Sequence, residues 1–179
     1  ENDVNCAALG EMWKGAGRGC ASLFAMTVGT SIGGALILDG HIVHGASMSA
    51  GEIAYMRIPG GRLHERCSAT HLVSSVCRTK GLPAGSIDGH AVFDLLAKGD
   101  PAAEEEIAAL VTALADAITN VVAVVNPACI VLGGGIMANY TQKNGVWVEG
   151  SLHGGRAKSD YSGSVYTGTV STYDGSSSY

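Results

Sequence analysis

The chain has 179 residues, of which 46% are hydrophobic, and a formal net charge of −5 at pH 7. A chain of this length and apolar content can form a buried core, with one to one and a half domains as the expected number. It is therefore not a disordered chain. The acidic balance without a basic run argues against nucleic-acid binding, and the lack of roughly 18 uninterrupted apolar residues or of a signal peptide predicts a cytoplasmic protein that does not bind membranes.

An alanine-rich helix is predicted at the start of the chain. Asn2 and Asp3 stand directly before apolar residues that begin at Val4, and the run ends near Gly15. Asn or Asp in this place is a good N-cap, because its side chain accepts a backbone N–H of the first turn. The residues alone leave Asp3 open to two roles, a cap or a functional carboxylate. The abrupt start also leads us to expect that an upstream part has been cut away.

Two short apolar runs, Cys20 to Val28 and Gly34 to Leu38, predict strands, and Asp39-Gly40 predicts a hairpin into a third strand. The turn between the first two strands is rich in glycine and hydroxyl residues. Such a turn leaves backbone N–H groups exposed and can hold phosphate oxygens. A glycine-rich hairpin turn without a ligand is the alternative. The residues concerned are Gly29, Thr30, Ser31, Gly33 and Gly34.

Three helices are predicted further along the chain. The first covers Ser68 to Thr79 with Ser68 as cap, and the second covers His90 to Lys98. The third and longest begins with Asp100 as cap and Pro101 as first helical residue, and it runs to about Val125. In the loop before these helices, Glu52 follows two small residues. It is either a solvated loop carboxylate or an acceptor for ligand hydroxyls.

A buried strand is predicted at Ala128 to Leu132, directly before Gly133, Gly134 and Gly135. A strand, a three-glycine turn and a helix start form a geometry in which a nucleotide can lie against bare backbone. The spacing is not GxGxxG and no acidic residue follows at the expected distance, so a dinucleotide fold is rejected. We divide the chain into residues 1–138 and a tail, 139–179, rich in Gly, Ser and Tyr. The tail is a linker, an artefact of the reading frame or a β-rich addition.

The five cysteines are scattered, odd in number and never in CxxC spacing. This usage argues for reduced thiols and against a disulfide framework or a zinc site. We expect most of them to be small core residues. They are Cys6, Cys20, Cys67, Cys77 and Cys129.

Five stretches occur in one order along the chain: Asn2-Asp3, GTSIGG at 29–34, Ala50-Gly51-Glu52, Asn126-Pro127 and Leu132 to Gly135. Together they resemble the ROK family of repressors, open reading frames and sugar kinases, over about residues 1 to 139. The resemblance implies an α/β fold, namely the second lobe of an actin-like ATPase (ribonuclease H-like) fold, with a three-stranded meander plus helices, truncated at both ends. Kinases of this family begin with a lobe that carries a DxGxT-like phosphate loop.

The resemblance implies an ATP-dependent transfer of phosphate to a sugar hydroxyl, most simply the 6-hydroxyl, which needs positioning, charge neutralisation and a base. Asp3 matches the catalytic base, while Asn2 and Glu52 match sugar ligands. Mg²⁺ would accompany ATP and be held through the preceding lobe. The glycine-rich turns match two cofactor-binding motifs: Gly29, Thr30, Gly33 and Gly34 for phosphate, and Gly133, Gly134 and Gly135 beside adenosine.

The chain departs from the family pattern where many members bind zinc. Tyr55 stands at the position of a zinc-binding His, and the cysteine cluster that follows in those members has no counterpart, so we predict no metal site and no zinc. Tyr55 is instead assigned to the substrate site. A further sugar-binding Glu of the family falls at His64 or, with a slip of one residue, at Glu65. This pattern resembles the zinc-free branch of β-glucoside kinases and hexose kinases.

The resemblance leaves a second function open, because the family contains repressors whose kinase-like body senses sugar without phosphorylating it. The intact Asp3 and phosphate turn favour the kinase. Its partners would be a sugar and ATP, and the family also allows a homodimer. Because contacts from two lobes must converge on one transition state, we expect weak or no catalysis from the 179 residues alone.

Overall fold

The computed structural model describes residues 2–136 and the backbone of two further strands, 157–162 and 165–170. The strands are β1 (Ser22–Val28), β2 (Ile32–Leu38), β3 (His41–Ile42), β4 (Arg57–Ile58), β5 (Gly61–Arg62), β6 (Cys129–Gly133), β7 (Ala157–Ser162) and β8 (Val165–Val170). The helices are α1 (Asp3–Lys14), α2 (Leu63–Cys67), α3 (Ala69–Lys80), α4 (Gly89–Ala97) and α5 (Pro101–Val125), with a 3₁₀ turn at Ile53–Tyr55.

A six-stranded sheet in the order β3-β2-β1-β6-β8-β7 forms the centre of the fold. Strands β1, β2 and β3 are the predicted antiparallel meander, and Val28 pairs with Ile32 across the glycine-rich turn. Strand β6 runs parallel to β1, with Leu23 opposite Cys129. Because β1 and β6 are parallel, the turns that follow them, at 29–31 and 133–135, lie at the same edge of the sheet.

Helix boundaries follow local signals in the sequence. Ser68 accepts the backbone N–H of His71 at 3.2 Å and caps α3 as predicted. Asp100 accepts the N–H groups of Ala102 and Ala103 at the start of α5, again as predicted. Helix α2 and the β4–β5 hairpin were not predicted, because elements of two to five residues are too short to show a hydrophobic period.

The core has two layers because successive residues of β1 point to opposite faces of the sheet. Leu23 and Ala25 pack with Ala8 of α1 on one face. Phe24 and Met26 pack on the other face with helices α2 to α5. The glycine-rich turns at the end of β1 and β6 are therefore supported by helices from both sides.

Helix α5 is the scaffold element that its length predicted. By length and composition alone it could cross a membrane, with a mean hydropathy of 2.0 over 18 residues. It packs against α2, α3 and α4, and eight of its residues are buried. Packing of this kind is that of a core helix. The buried residues are Ala103, Ile107, Leu110, Ala113, Leu114, Ala117, Ile118 and Val121.

The described part of the tail is a β-hairpin that extends the sheet. Strand β8 pairs antiparallel with β6, with Val131 opposite Thr169, and β7 pairs with β8. The choice among the three alternatives for residues 139–179 stays a prediction. The rest of that segment and the proposed boundary at residue 138 lie outside the described residues, so the division into two regions stays a prediction.

Candidate functional site

The start of α1 separates the roles of Asn2 and Asp3. The Oδ1 atom of Asn2 accepts the backbone N–H of Asn5 at 2.7 Å, so Asn2 is the N-cap. Asp3 is the first helical residue, and its exposed carboxylate accepts the N–H of Val4 at 3.0 Å. The interpretation of Asp3 as the cap is therefore wrong. Its carboxylate lies in the first turn, where the helix dipole favours a negative charge.

Gly33 holds this end of α1 against β2. A side chain at Gly33 would overlap the side chain of Val4 and would come within 2.8 Å of the hydroxyl of Thr27. Val4 directly follows Asp3, so the absence of a side chain at Gly33 lets the helix begin close to the sheet. The carboxylate of Asp3 is thereby placed near the end of β2 that joins the glycine-rich turn.

Gly34 is the next residue of β2 and therefore faces the side of the sheet opposite to Gly33. There it contacts the loop that carries Glu52. A side chain at Gly51 would lie 2.6 Å from the carbonyl oxygen of Gly34, and Gly51 has a φ of +91°. Such close backbone contact and positive φ are readily available only to glycine. Glu52 follows, with an exposed carboxylate that has no hydrogen-bond or ion-pair partner within residues 2–136. It can accept hydrogen bonds from a ligand.

The turn at 29–31 directs two of its carbonyl groups towards α3. The carbonyl oxygen of Gly29 accepts the N–H of Ala69 at 2.7 Å, and the hydroxyl of Thr70 donates to the carbonyl oxygen of Thr30 at 3.4 Å. The N–H groups of Thr30 and Ser31 are not taken by any acceptor in the described residues. These two groups can therefore donate to an anion, as the phosphate motif requires.

The second glycine-rich turn packs against the first. Gly134 has a φ of +95°, and a side chain there would lie 2.5 Å from the carbonyl oxygen of Val28. Val28 directly precedes Gly29, so the two turns are neighbours. The positions that side chains would occupy at Gly133 and Gly135 are open, with nothing within 4 Å among the described residues. The backbone of this turn is therefore bare beside the turn at 29–31, and its assignment to the adenosine of ATP stays a prediction.

Helix α2 brings His64, and not Glu65, to the phosphate turn. The Nδ1 atom of His64 lies 3.1 Å from the hydroxyl of Ser31. Glu65 instead accepts the backbone N–H of Arg62 at 3.0 Å, which stabilises the start of α2. The sequence did not decide which of these two residues takes the further sugar-binding position of the family, because α2 itself was not predicted. A sugar-binding role for Glu65 stays a prediction, and it would require this hydrogen bond to be shared or broken.

Tyr55 ends the 3₁₀ turn that begins directly after Glu52, and 68% of its surface is exposed. The guanidinium of Arg62 lies over its ring, 5.9 Å from the centroid. One face of the ring is thus partly covered, while the residue as a whole remains available to a ligand. Its assignment to the substrate site stays a prediction.

The described residues contain no group of three His, Cys, Asp or Glu side chains that could hold a metal ion. Hard cations such as Mg²⁺ need several oxygen ligands, and they keep waters when the protein supplies few. Binding of Mg²⁺ with ATP stays a prediction.

Comparison with known proteins identifies relatives that match about three quarters of this chain. An uncharacterized protein from Clostridium perfringens (strain 13 / Type A) is 51% identical over 138 residues, which cover 77% of this chain and 47% of that protein. A beta-glucoside kinase from Klebsiella pneumoniae is 34% identical over 145 residues, covering 76% of this chain and 49% of the kinase. The chain thus spans about half the length of the curated relatives it matches.

A solved structure agrees with these sequence matches. The ROK hexokinase from Thermus thermophilus superposes with a TM-score of 0.72 at 30% identity, covering 78% of this chain and 50% of the hexokinase. The architecture is therefore that of the actin-like ATPase fold, as predicted. Residues 1–149 match the ROK family, and the chain belongs to that family.

Proposed function

We propose that the protein to which this chain belongs transfers the γ-phosphoryl group of ATP to a hydroxyl of a hexose or a β-glucoside. One observation supports this proposal: Gly33 and Gly34, near the start of β2, contact the two segments that carry Asp3 and Glu52. Gly33 packs against α1, which carries Asp3, and Gly34 contacts Gly51, which precedes Glu52. The phosphate turn at 29–31 joins that same end of β2.

Asp3 would act as the base in this reaction. The hydroxyl proton of the sugar passes to the carboxylate as the hydroxyl oxygen forms its bond to the γ-phosphorus. The bond between that phosphorus and the bridging oxygen then breaks, and ADP leaves with the electron pair. Because Asn2 supplies the cap, the carboxylate of Asp3 can take this proton without disrupting the first turn of α1.

The remaining residues would bind and orient. Glu52 would accept sugar hydroxyls, and the amide NH₂ of Asn2 would donate to the sugar, since its oxygen is engaged by Asn5. The N–H groups of Thr30 and Ser31 would donate to phosphate oxygens, with Gly133 to Gly135 beside the adenosine. Mg²⁺ bound with ATP would neutralise phosphate charge. Glu65, His64 and Tyr55 are candidates for further sugar contacts.

The test is a coupled ATP-consumption assay on the full-length protein with glucose, N-acetylmannosamine, N-acetylglucosamine and cellobiose. We expect turnover with at least one sugar, and Asp3→Asn to lower kcat by about 10²- to 10⁴-fold. Asp39→Asn is the matched control, because Asp39 is an exposed hairpin residue with a φ of +49°, which Asn also tolerates. Equal activity of Asp3→Asn and the control would exclude Asp3 as the base.

The same panel separates the kinase from a sugar-sensing repressor body. A full-length protein that binds one of these sugars by calorimetry but consumes no ATP would support the sensor. For the isolated 179-residue chain we expect sugar phosphorylation to be weak or undetectable, because a single lobe supplies only part of the transition-state contacts.

A further inference from the structure

The β4–β5 hairpin places two arginines directly opposite each other. Arg57 pairs with Arg62, and Ile58 pairs with Gly61. Ile58 is buried, so its neighbour Arg57 points to the outer face of the hairpin, and Arg62 shares that face. Opposite residues of this kind have Cβ atoms roughly 4.5–5.5 Å apart, and like charges there destabilise the pair.

Neither Arg57 nor Arg62 forms an ion pair within residues 2–136. Glu65 is the nearest acid in sequence to Arg62, but its carboxylate binds the backbone N–H of Arg62. The whole chain carries a net charge of −5, so this local excess of positive charge runs against the overall balance.

A third arginine adds positive charge on the inner side of the hairpin. The guanidinium of Arg66 lies against the turn, with Nε 3.4 Å from the position that a side chain at Gly60 would occupy. This Nε atom is buried and has no hydrogen-bond acceptor in the described residues. The positive charge of Arg66 therefore adds to the field of Arg57 and Arg62 at the hairpin.

We propose that the outer face of the β4–β5 hairpin binds a phosphate dianion, either free or as the monoester of a small molecule. Two guanidinium groups can each pair with two phosphate oxygens, and together they balance both charges of the dianion. A single carboxylate would leave one positive charge uncompensated. Tyr55, beneath the guanidinium of Arg62, offers an exposed ring to the organic part of an ester.

The experiment measures thermal unfolding of the 179-residue chain as inorganic phosphate, glucose 6-phosphate or glucose is added, at ionic strength held constant with KCl. The informative variant is Arg57→Glu, which turns the repelling pair into an ion pair with Arg62. The matched control is Arg18→Glu, since Arg18 is also exposed but lies after α1, away from the hairpin. Phosphate bound at the glycine-rich turns affects both variants alike, so their difference isolates the hairpin.

In buffer without phosphate we expect Arg57→Glu to unfold at the same temperature as wild type or higher. Phosphate should stabilise wild type and Arg18→Glu, while Arg57→Glu should bind it about tenfold more weakly or worse, the loss expected for a charged hydrogen bond. A larger response to glucose 6-phosphate than to phosphate identifies a monoester as the ligand, and equal responses identify the free anion. Equal phosphate affinity of Arg57→Glu and Arg18→Glu overturns the proposal.

Discussion

The carbonyl oxygen of Gly34 lies 2.6 Å from the position that a side chain at Gly51 would occupy. This contact joins the central sheet to the loop that carries Glu52, although 16 residues, 35–50, lie between the two glycines. It explains why both positions are glycine, and it sets where the Glu52 carboxylate can lie relative to the phosphate turn.

We expect Gly51→Ala to destabilise the fold by about 2–3 kcal/mol, from the strained positive φ together with backbone overlap. Gly19→Ala is the matched control, because Gly19 has a similar φ of +84° but nothing within 4 Å of the added side chain. The control should lose about 1 kcal/mol. Urea unfolding measures both, and equal losses would show that the overlap with Gly34 is relieved by a small shift of the loop.

The start of α1 predicts different costs for its two polar residues. Asn2→Ala removes the cap and should lower the free energy of unfolding by about 1 kcal/mol. Asp3→Ala removes only a bond to the adjacent N–H of Val4, and we expect a change within about 0.5 kcal/mol. Denaturant titrations of both variants test this order. If Asp3→Ala lowered the free energy of unfolding more than Asn2→Ala, Asp3 and not Asn2 would be the cap.

The ion pair between Lys80 and Asp100 predicts a pH dependence of stability. The hydrogen bond from Lys80, with smaller help from the N–H groups of Ala102 and Ala103, lowers the pKa of Asp100 below its ordinary value of 3.8. A lowered folded-state pKa contributes stability above the unfolded pKa, and this contribution is lost as the pH falls through the folded value. We expect Asp100→Asn, which keeps a capping side chain, to flatten the stability profile below about pH 4.

The matched control for this pH dependence is Asp88→Asn. Asp88 caps α4 by accepting the N–H of Ala91 at 2.9 Å, and no lysine pairs with it in the part of the chain that the structure describes. Acid unfolding profiles of the two variants should differ in the acidic range. Identical profiles would mean that Lys80 has no net effect on the titration of Asp100.

The cysteines should differ in reactivity. Burial raises the pKa of Cys67 to about 12, and its thiol donates to the carbonyl oxygen of Leu110 at 3.6 Å. Cys6 is exposed on α1. Because the thiolate is the reactive form, we expect iodoacetamide at pH 8 to alkylate Cys6 in the native chain and to spare Cys67 until denaturant is added. Peptide mass spectrometry before and after denaturation provides the measurement, and rapid native labelling of Cys67 would contradict its burial.

Local signals in the sequence were sufficient for the longer elements. Ser68 and Asp100-Pro101 marked the starts of α3 and α5, because capping depends on residues within one helical turn. Asp39-Gly40 marked the hairpin into β3, and both residues have the positive φ that this turn needs. The family motifs also located the two glycine-rich turns, because each motif is a short contiguous stretch of sequence.

Two features of the site were beyond local signals. The choice between His64 and Glu65 depends on how α2 packs near the turn at 29–31, and α2 is a single short helix without a readable period. The opposed charges of Arg57 and Arg62 depend on the register of a hairpin with two residues in each strand.

The sequence by itself determined the order of the main helices and strands, the capped helix starts and the family, because each depends on residues that are neighbours in the chain. Only the tertiary structure decided which distant residues meet: Gly34 with Gly51, Gly134 with Val28, and His64 with Ser31. The physical reason is that these contacts form only when α2 and the loops pack onto the sheet, and packing at van der Waals distance is a property of the whole core.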